Sequence, residues 1–343
     1  MDRNPYTLTF GKSPEQIIER ISQTEEVVST FRSNPPVQQT YMITGVRGSG
    51  KTVFMSNILK TLSSSDEWIS VELNPERDLL KGLLTKLTSD NTLARIFKSA
   101  KINLSFFGLG LEISGEAPIT DAEVALSRML SSLGKKGKKV LIAIDEVTNS
   151  RIMREFAHSF QIFLMQDLPV YLLMTGLYDN IYTLQNEKTM TFLYRSPKLH
   201  LSPLNTATMA NNYMSNIGVS KDDAFEMARI TRGYPFAFQL LGYLTCEKNG
   251  DYKAAMLTFK QSLEEFVYEK IWSELSKTDK DVLVAMAEDG TGQVSSIRER
   301  LGYDTNHFNP YRMRLIRKGI IEGETNGHVS FCLPLFDEFV LER

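Results

Sequence analysis

Eight consecutive residues constrain this chain more than any others: Gly45-Val46-Arg47-Gly48-Ser49-Gly50-Lys51-Thr52, a G-x-x-x-x-G-K-T run. Glycines let a backbone turn so tightly that successive N–H groups point inward at an anion. Lys51 adds a mobile cation suited to β- and γ-phosphates, and Thr52 a hydroxyl suited to Mg2+. A helix starting here aims its positive end at the same anion. The flanks supply the setting that such a loop requires. Thr40–Thr44 is β-rich, and Val53–Leu62 has apolar residues at helical spacing, so the run sits between a strand and a helix. Val53 is taken with the loop as nucleotide-binding.

Strand and helix patterns then alternate through residues 40–205. Trp68–Leu73, Val140–Ile144, Val170–Met174 and Lys198–Leu201 read as further strands, and the unbroken apolar run of Val140–Ile144 implies burial on both faces. This predicts a parallel α/β sheet. Ser13-Pro14-Glu15 is a helix start, predicting a lead-in helix over Pro14–Thr30. Lys101–Ser114 alternates apolar and polar residues around Gly108 and Gly110 and predicts an inserted β-hairpin. Phe106 and Phe107 near its tip suit either packing on the parent domain or contact with a partner. Lys135, Lys136, Lys138 and Lys139 read as a solvated turn rather than a nucleic-acid patch.

A phosphate loop needs a magnesium-holding acid on a neighbouring strand. Asp145, after Val140–Ile144, fills that role through water, and Glu146 is placed to polarise an attacking water. Thr175, ending the next strand, suits contact with the γ-phosphate or its water, or is simply a strand end. Arg195 suits either a γ-phosphate contact reaching into a neighbouring subunit or a surface salt bridge.

Residues 206–272 read as all-helical. Residues 273–343 hold three short helices, Thr278–Ala287, Val294–Leu301 and Asn309–Lys318, and a hairpin around Gly323–Gly327, the pattern of a winged helix. The division expected is therefore 1–205 for the core with its lead-in and insertion, 206–272 for a helical domain and 273–343 for the winged helix. With 23% charged residues and a net charge of −2, no global field draws the chain to nucleic acid or anionic lipid. No apolar run approaches a membrane span, Met1–Pro5 lacks a signal pattern, and Cys246 and Cys332 have no metal-ligand spacing. A cytoplasmic protein with free thiols and no membrane contact is expected.

Together these residues resemble the AAA+ superfamily, in particular the origin-recognition-like ATPases and the related STAND ATPases. Residues 46–52 and 144–147 correspond to Walker A and Walker B, and 174–177 to sensor 1. Phe10, Ile18 and Arg20 lie in a lead-in similar to the segment that borders adenine in the family. Tyr194-Arg195 resembles the arginine-finger segment. Arg232–Ala237 is similar to the G-x-P stretch of the lid, whose proline, here Pro235, lies near the base. The resemblance implies an AAA+ P-loop core with a helical lid and a winged helix, binding ATP or ADP with Mg2+. It departs at Thr175, where many members carry Asn, and at the lid helix, where Phe236 and Phe238 stand in the stretch expected to hold an arginine. The departures imply slow hydrolysis coupled to domain movement. The alternative is a nucleotide-gated DNA-binding or signalling switch whose turnover is incidental. In the winged helix, Arg312, Arg314, Arg317 and Lys318 are candidates for DNA phosphate contact. Against that, residues 275–343 hold nine Lys/Arg and eleven Asp/Glu, a balance that also suits a regulatory role, a protein partner or self-association.

Overall fold

The structure, a computed structural model, describes residues 4–8, 15–187, 190–323 and 327–343. The chain forms two compact units. A sheet unit holds Ile21–Thr44 and Lys51–His200, and a helical unit holds Met1–Arg20, Gly45–Gly50 and Leu201–Arg343.

In chain order the sheet unit contains α1 (Ile21–Arg32), β1 (Thr40–Thr44), α2 (Lys51–Ser63), β2 (Trp68–Leu73), α3 (Leu79–Ser89), α4 (Asn91–Ser99) and α5 (Ala122–Gly134). It continues with β3 (Lys139–Ile144), α6 (Arg151–Met165), β4 (Val170–Gly176), α7 (Tyr178–Gln185), α8 (Thr191–Arg195) and β5 (Lys198–His200). Every strand pair is parallel, in the order β2-β3-β4-β1-β5. β1 and β4 are buried throughout and β3 nearly so, as strands covered on both faces must be. Asp78, Asp90, Asp121 and Ser150 cap α3, α4, α5 and α6 by accepting from first-turn N–H groups. The register sets Thr44 opposite both Gly176 and His200, and Ile144 opposite Met174. The carboxyl ends of β3, β4, β1 and β5 thus share one edge, where open α/β sheets bind their ligands.

Two local expectations fail. Glu15–Arg20 is bent or extended, and the helix starts at Ile21; Ser13 and Pro14 lie outside the described residues. Long-range partners hold this stretch instead. The Gln16 carbonyl accepts from Gln239 Nε2 at 2.6 Å, its side-chain Oε1 accepts from Asn212 and Asn216, and Ile18 is buried. Lys101–Ser114 forms no hairpin; a 3-10 turn at Ser105–Phe107 takes its place. The Asn103 amide donates to Ile113 O and Glu116 O, doing the work expected of ladder bonds, while Leu104 and Leu111 are buried. Phe107 packs on the sheet-unit core, whereas Phe106 is 61% exposed. The lysine turn is solvated at Lys135 and Lys136; Lys138 donates to Asp66 O and Lys139 pairs with Glu67.

The helical unit contains α9 (Thr206–Ile217), α10 (Lys221–Ile230), α11 (Pro235–Glu247), α12 (Tyr252–Leu263), a π-helical turn at Glu264–Tyr268 and α13 (Glu269–Ser273). There follow α14 (Lys277–Asp289), α15 (Val294–Leu301), α16 (Thr305–Lys318), an antiparallel hairpin of β6 (Ile321–Glu322) and β7 (Ser330–Phe331), and α17 (Phe336–Leu341). Segments 206–272 and 273–343 share a single apolar cluster, with Tyr213, Phe238 and Phe259 from the first and Leu283, Phe308 and Phe336 from the second. Tyr268 also donates to Pro334 O across this core. Both cysteines are half-buried. Among the described residues no helix is long and apolar enough to cross a membrane.

Candidate nucleotide site

In the sheet unit, chemistry gathers at the carboxyl edge of the strands. Thr52, in the first turn of α2, donates from Oγ1 to Asp145 Oδ2 at 2.6 Å, and Thr175 Oγ1 donates to Asp145 Oδ1. The Glu146 N–H reaches Asp145 Oδ1 at 3.0 Å and Thr175 Oγ1 at 3.2 Å. Thr175 is fully buried, so its hydroxyl is committed to aligning the acid pair. Asp145 has both oxygens engaged by hydroxyls, yet no ion pair among the described residues. Glu146 takes a left-handed φ of 53° with its side chain exposed. For a non-glycine residue that conformation costs on the order of 1 kcal/mol, and such strain concentrates at functional sites.

The donor set fits Mg2+ and not zinc. Magnesium keeps most of its waters and uses few protein oxygens, which a single carboxylate beside a hydroxyl can satisfy. Among the described residues no group of three His, Cys, Asp or Glu side chains could hold a metal by itself.

His200 belongs to this edge, although the sequence marked it only as part of a strand. Its Nδ1 lies 3.5 Å from Thr44 Oγ1. Partial desolvation, and then the charge of Lys51, lowers its pKa below the ordinary 6.5. The available signal was its position, at the end of a parallel strand.

In the helical unit, Gly45–Gly50 is held by its carbonyls. Arg47 O accepts from the Tyr234 hydroxyl at 2.6 Å, Gly48 O from the Phe236 N–H at 3.2 Å, and Ser49 O from Arg20 Nη2 at 3.2 Å. Glycine is obligatory at Gly48, where φ is 72° and a Cβ would fall 2.2 Å from the Tyr234 hydroxyl oxygen. Gly50 has φ 83°, and a Cβ there would meet Pro235 Cγ at 3.6 Å. Burial raises the Tyr234 pKa and keeps its hydroxyl a donor. The Ser49 hydroxyl is buried with no hydrogen-bond partner among the described residues, an orphan in a loop whose sequence suits phosphate oxygens. Arg47 extends to Glu274 at 2.8 Å, a half-exposed pair of small energetic weight.

The remaining predicted residues divide. Gly45 is buried, and Val46, Lys51 and Val53 are half-buried. Ile18 lies in the apolar core of the helical unit, and Phe10 lies outside the described residues. Arg195, ending α8, is exposed and makes no ion pair among the described residues. In the winged helix, Arg314 turns inward. Its Nε and Nη2 donate to Asp279 Oδ1 at 3.0 and 2.6 Å, and it lies 5.0 Å from the Tyr311 ring centroid. Arg312 packs against Gly323 with Nε buried. Arg317 is exposed and Lys318 half-buried.

Residues 265–340 match a family described as a domain of unknown function (DUF8462). No curated protein matches the chain. Among solved structures, the chain is similar to a Walker-type ATPase of Pyrococcus abyssi. The TM-score is 0.66 at 16% identity, over 98% of this chain and 99% of that one. It is also similar to the ORC2 protein of Aeropyrum pernix in its ADPNP–ADP complexes, with TM-score 0.61 and 13% identity over 97% and 95%. The ADP form of that protein gives a TM-score of 0.52 at 12% identity, again over 97% and 95%. The chain shares the α/β fold of these solved structures, with a C-terminal winged helix.

Proposed function

We propose that this protein binds ATP with Mg2+ and hydrolyses it slowly, using the nucleotide as a conformational switch. The observation that carries this reading is the contact of Thr52 and Thr175 with Asp145, directly after a G-x-x-x-x-G-K-T loop with two left-handed glycines. Gly45–Gly50 supplies N–H groups to the phosphates, and Lys51 supplies charge at the β- and γ-phosphates. Thr52 would hold the metal directly and Asp145 would hold it through water. When bound, Mg2+ screens the phosphate charge and orients the leaving group. Glu146 accepts a proton from the attacking water, its backbone fixed by the bonds to Asp145 and Thr175. Thr175 acts by orienting Asp145. Pro235, beside Gly50, borders the nucleotide, and Arg195 completes the site of a neighbouring copy. The protein is read as cytoplasmic, with its cysteines reduced.

For the winged helix a regulatory or protein-contact role is favoured over DNA binding. Arg314 is neutralised by Asp279 and Arg312 packs on Gly323, which turns both away from DNA phosphates.

The test compares steady-state phosphate release by wild type and Glu146→Gln. Loss of the general base should slow turnover roughly 10²-fold or more while leaving Mg-ATP binding in place. Equal rates for the two proteins would sink the enzymatic reading and leave the switch without turnover.

A further inference from the structure

The lid helix carries no arginine where the family resemblance leads one to expect it, but a guanidinium reaches the phosphate loop from the lead-in. Arg20 Nε donates to Ser202 O at 2.8 Å and Nη2 to Ser49 O at 3.2 Å. These two carbonyls fix the fork. The remaining nitrogen, Nη1, is turned toward Gly50, where it would lie 3.6 Å from a Cβ. No ion pair neutralises Arg20 among the described residues. Arg20 is half-buried; partial desolvation lowers its pKa to about 10, and no countercharge among the described residues offsets that cost. Taking a charge out of water is unfavourable unless an opposite charge meets it. Acceptance by two neutral carbonyls orients the group without neutralising it. The Ser49 hydroxyl is buried and also has no partner among the described residues.

We propose that Arg20 is a phosphate ligand, supplying the loop with the second cation that the lid lacks, and that Ser49 Oγ donates to the same anion. The class of ligand is a nucleoside di- or triphosphate, and the inference rests on the nucleotide-binding reading above. Arg20 is thereby assigned to the phosphates and not to the border of the base. Its anchoring at Ser202 and Ser49 fixes the direction of Nη1, the nitrogen left to make a charge-assisted bond to phosphate.

The experiment titrates the full-length chain with Mg-ATP, AMP and inorganic tripolyphosphate, for wild type, Arg20→Gln and Arg20→Lys. A charge-assisted contact predicts that Arg20→Gln weakens ATP and tripolyphosphate by about 10- to 100-fold. AMP should be much less affected, and Arg20→Lys, which keeps the charge and loses the fork, should fall between. Because the cation is uncompensated, the Tm of the ligand-free Gln variant should stay close to wild type, while its ATP-induced rise in Tm is lost. A structural role would instead lower the ligand-free Tm and leave the ratio of ATP to AMP affinity unchanged. That outcome, or unaltered tripolyphosphate binding, overturns the assignment and leaves nucleotide binding standing. A wild type that binds none of the probes overturns both.

Discussion

Asp145, just past β3 in the sheet unit, and Asp279, in the first turn of α14 in the helical unit, are both carboxylates gripped by hydroxyls. Thr52 and Thr175 hold the first, and Ser276 Oγ holds the second at 2.8 Å. They differ in what lies opposite. Asp279, at 1% exposure, faces the guanidinium of Arg314 through two hydrogen bonds, and its N-terminal capping box closes the remaining oxygen. Asp145 has aligned hydroxyls and no cation among the described residues. A neutralised carboxylate is already complete and ties α16 to α14. An aligned but unneutralised one fits the proposed role of meeting a bound cation. The same contrast separates two arginines of the helical unit: Arg314 has an acid, and Arg20 has none among the described residues.

The largest effect should come from breaking the complete pair. Asp279→Ala strands Arg314, and removing one partner of a buried pair costs about 3–5 kcal/mol. Arg314 is roughly a third exposed, so about 2–3 kcal/mol is expected here, read from the denaturant midpoint, with ATP affinity unchanged. If ATP affinity fell in parallel, Asp279 would not be merely structural and the contrast would fail.

Asp145→Asn should do the reverse. The change is nearly isosteric and removes an uncompensated charge, so stability of the ligand-free protein should hold or rise. Disturbing a carboxylate that acts on the metal through water should cut Mg-dependent ATP turnover by about 10- to 100-fold. A variant that unfolds while its residual native fraction still responds to Mg2+ would make Asp145 a second Asp279.

The smallest effect concerns His200, whose folded pKa lies below its unfolded value of 6.5. The unfolded chain therefore takes up the proton first on acidification. Stability contributed by the neutral ring is present above 6.5 and is lost as pH falls through the folded value. Wild type should lose slightly more stability than His200→Gln between about pH 7 and pH 5, measured by urea unfolding. Identical pH profiles would show that the edge around Lys51 does not sense that charge.

Much of the fold was legible because its signals are local. The loop, its flanking strand and helix, and Asp145-Glu146 lie within short contiguous runs, where backbone freedom and period decide the outcome. The buried strands announced themselves as unbroken apolar runs, and the winged-helix hairpin flanks its glycines as expected. Where pattern misled, distant partners had intervened. The segment before Ile21 is uncoiled by bonds to Asn212, Asn216 and Gln239, and the turn at Ser105–Phe107 is organised by the single side chain of Asn103.

By itself, then, the sequence determined that a G-x-x-x-x-G-K-T loop follows one strand and an acid pair another, because each is written in neighbouring residues. Only the tertiary structure decided which charges are neutralised. Arg312, Arg314 and Arg317 look alike in a row, yet one meets a buried aspartate from α14, 35 residues away in the chain, and one packs on a hairpin glycine. Periodicity encodes which face a side chain occupies. Whether an opposite charge waits there depends on how distant segments pack.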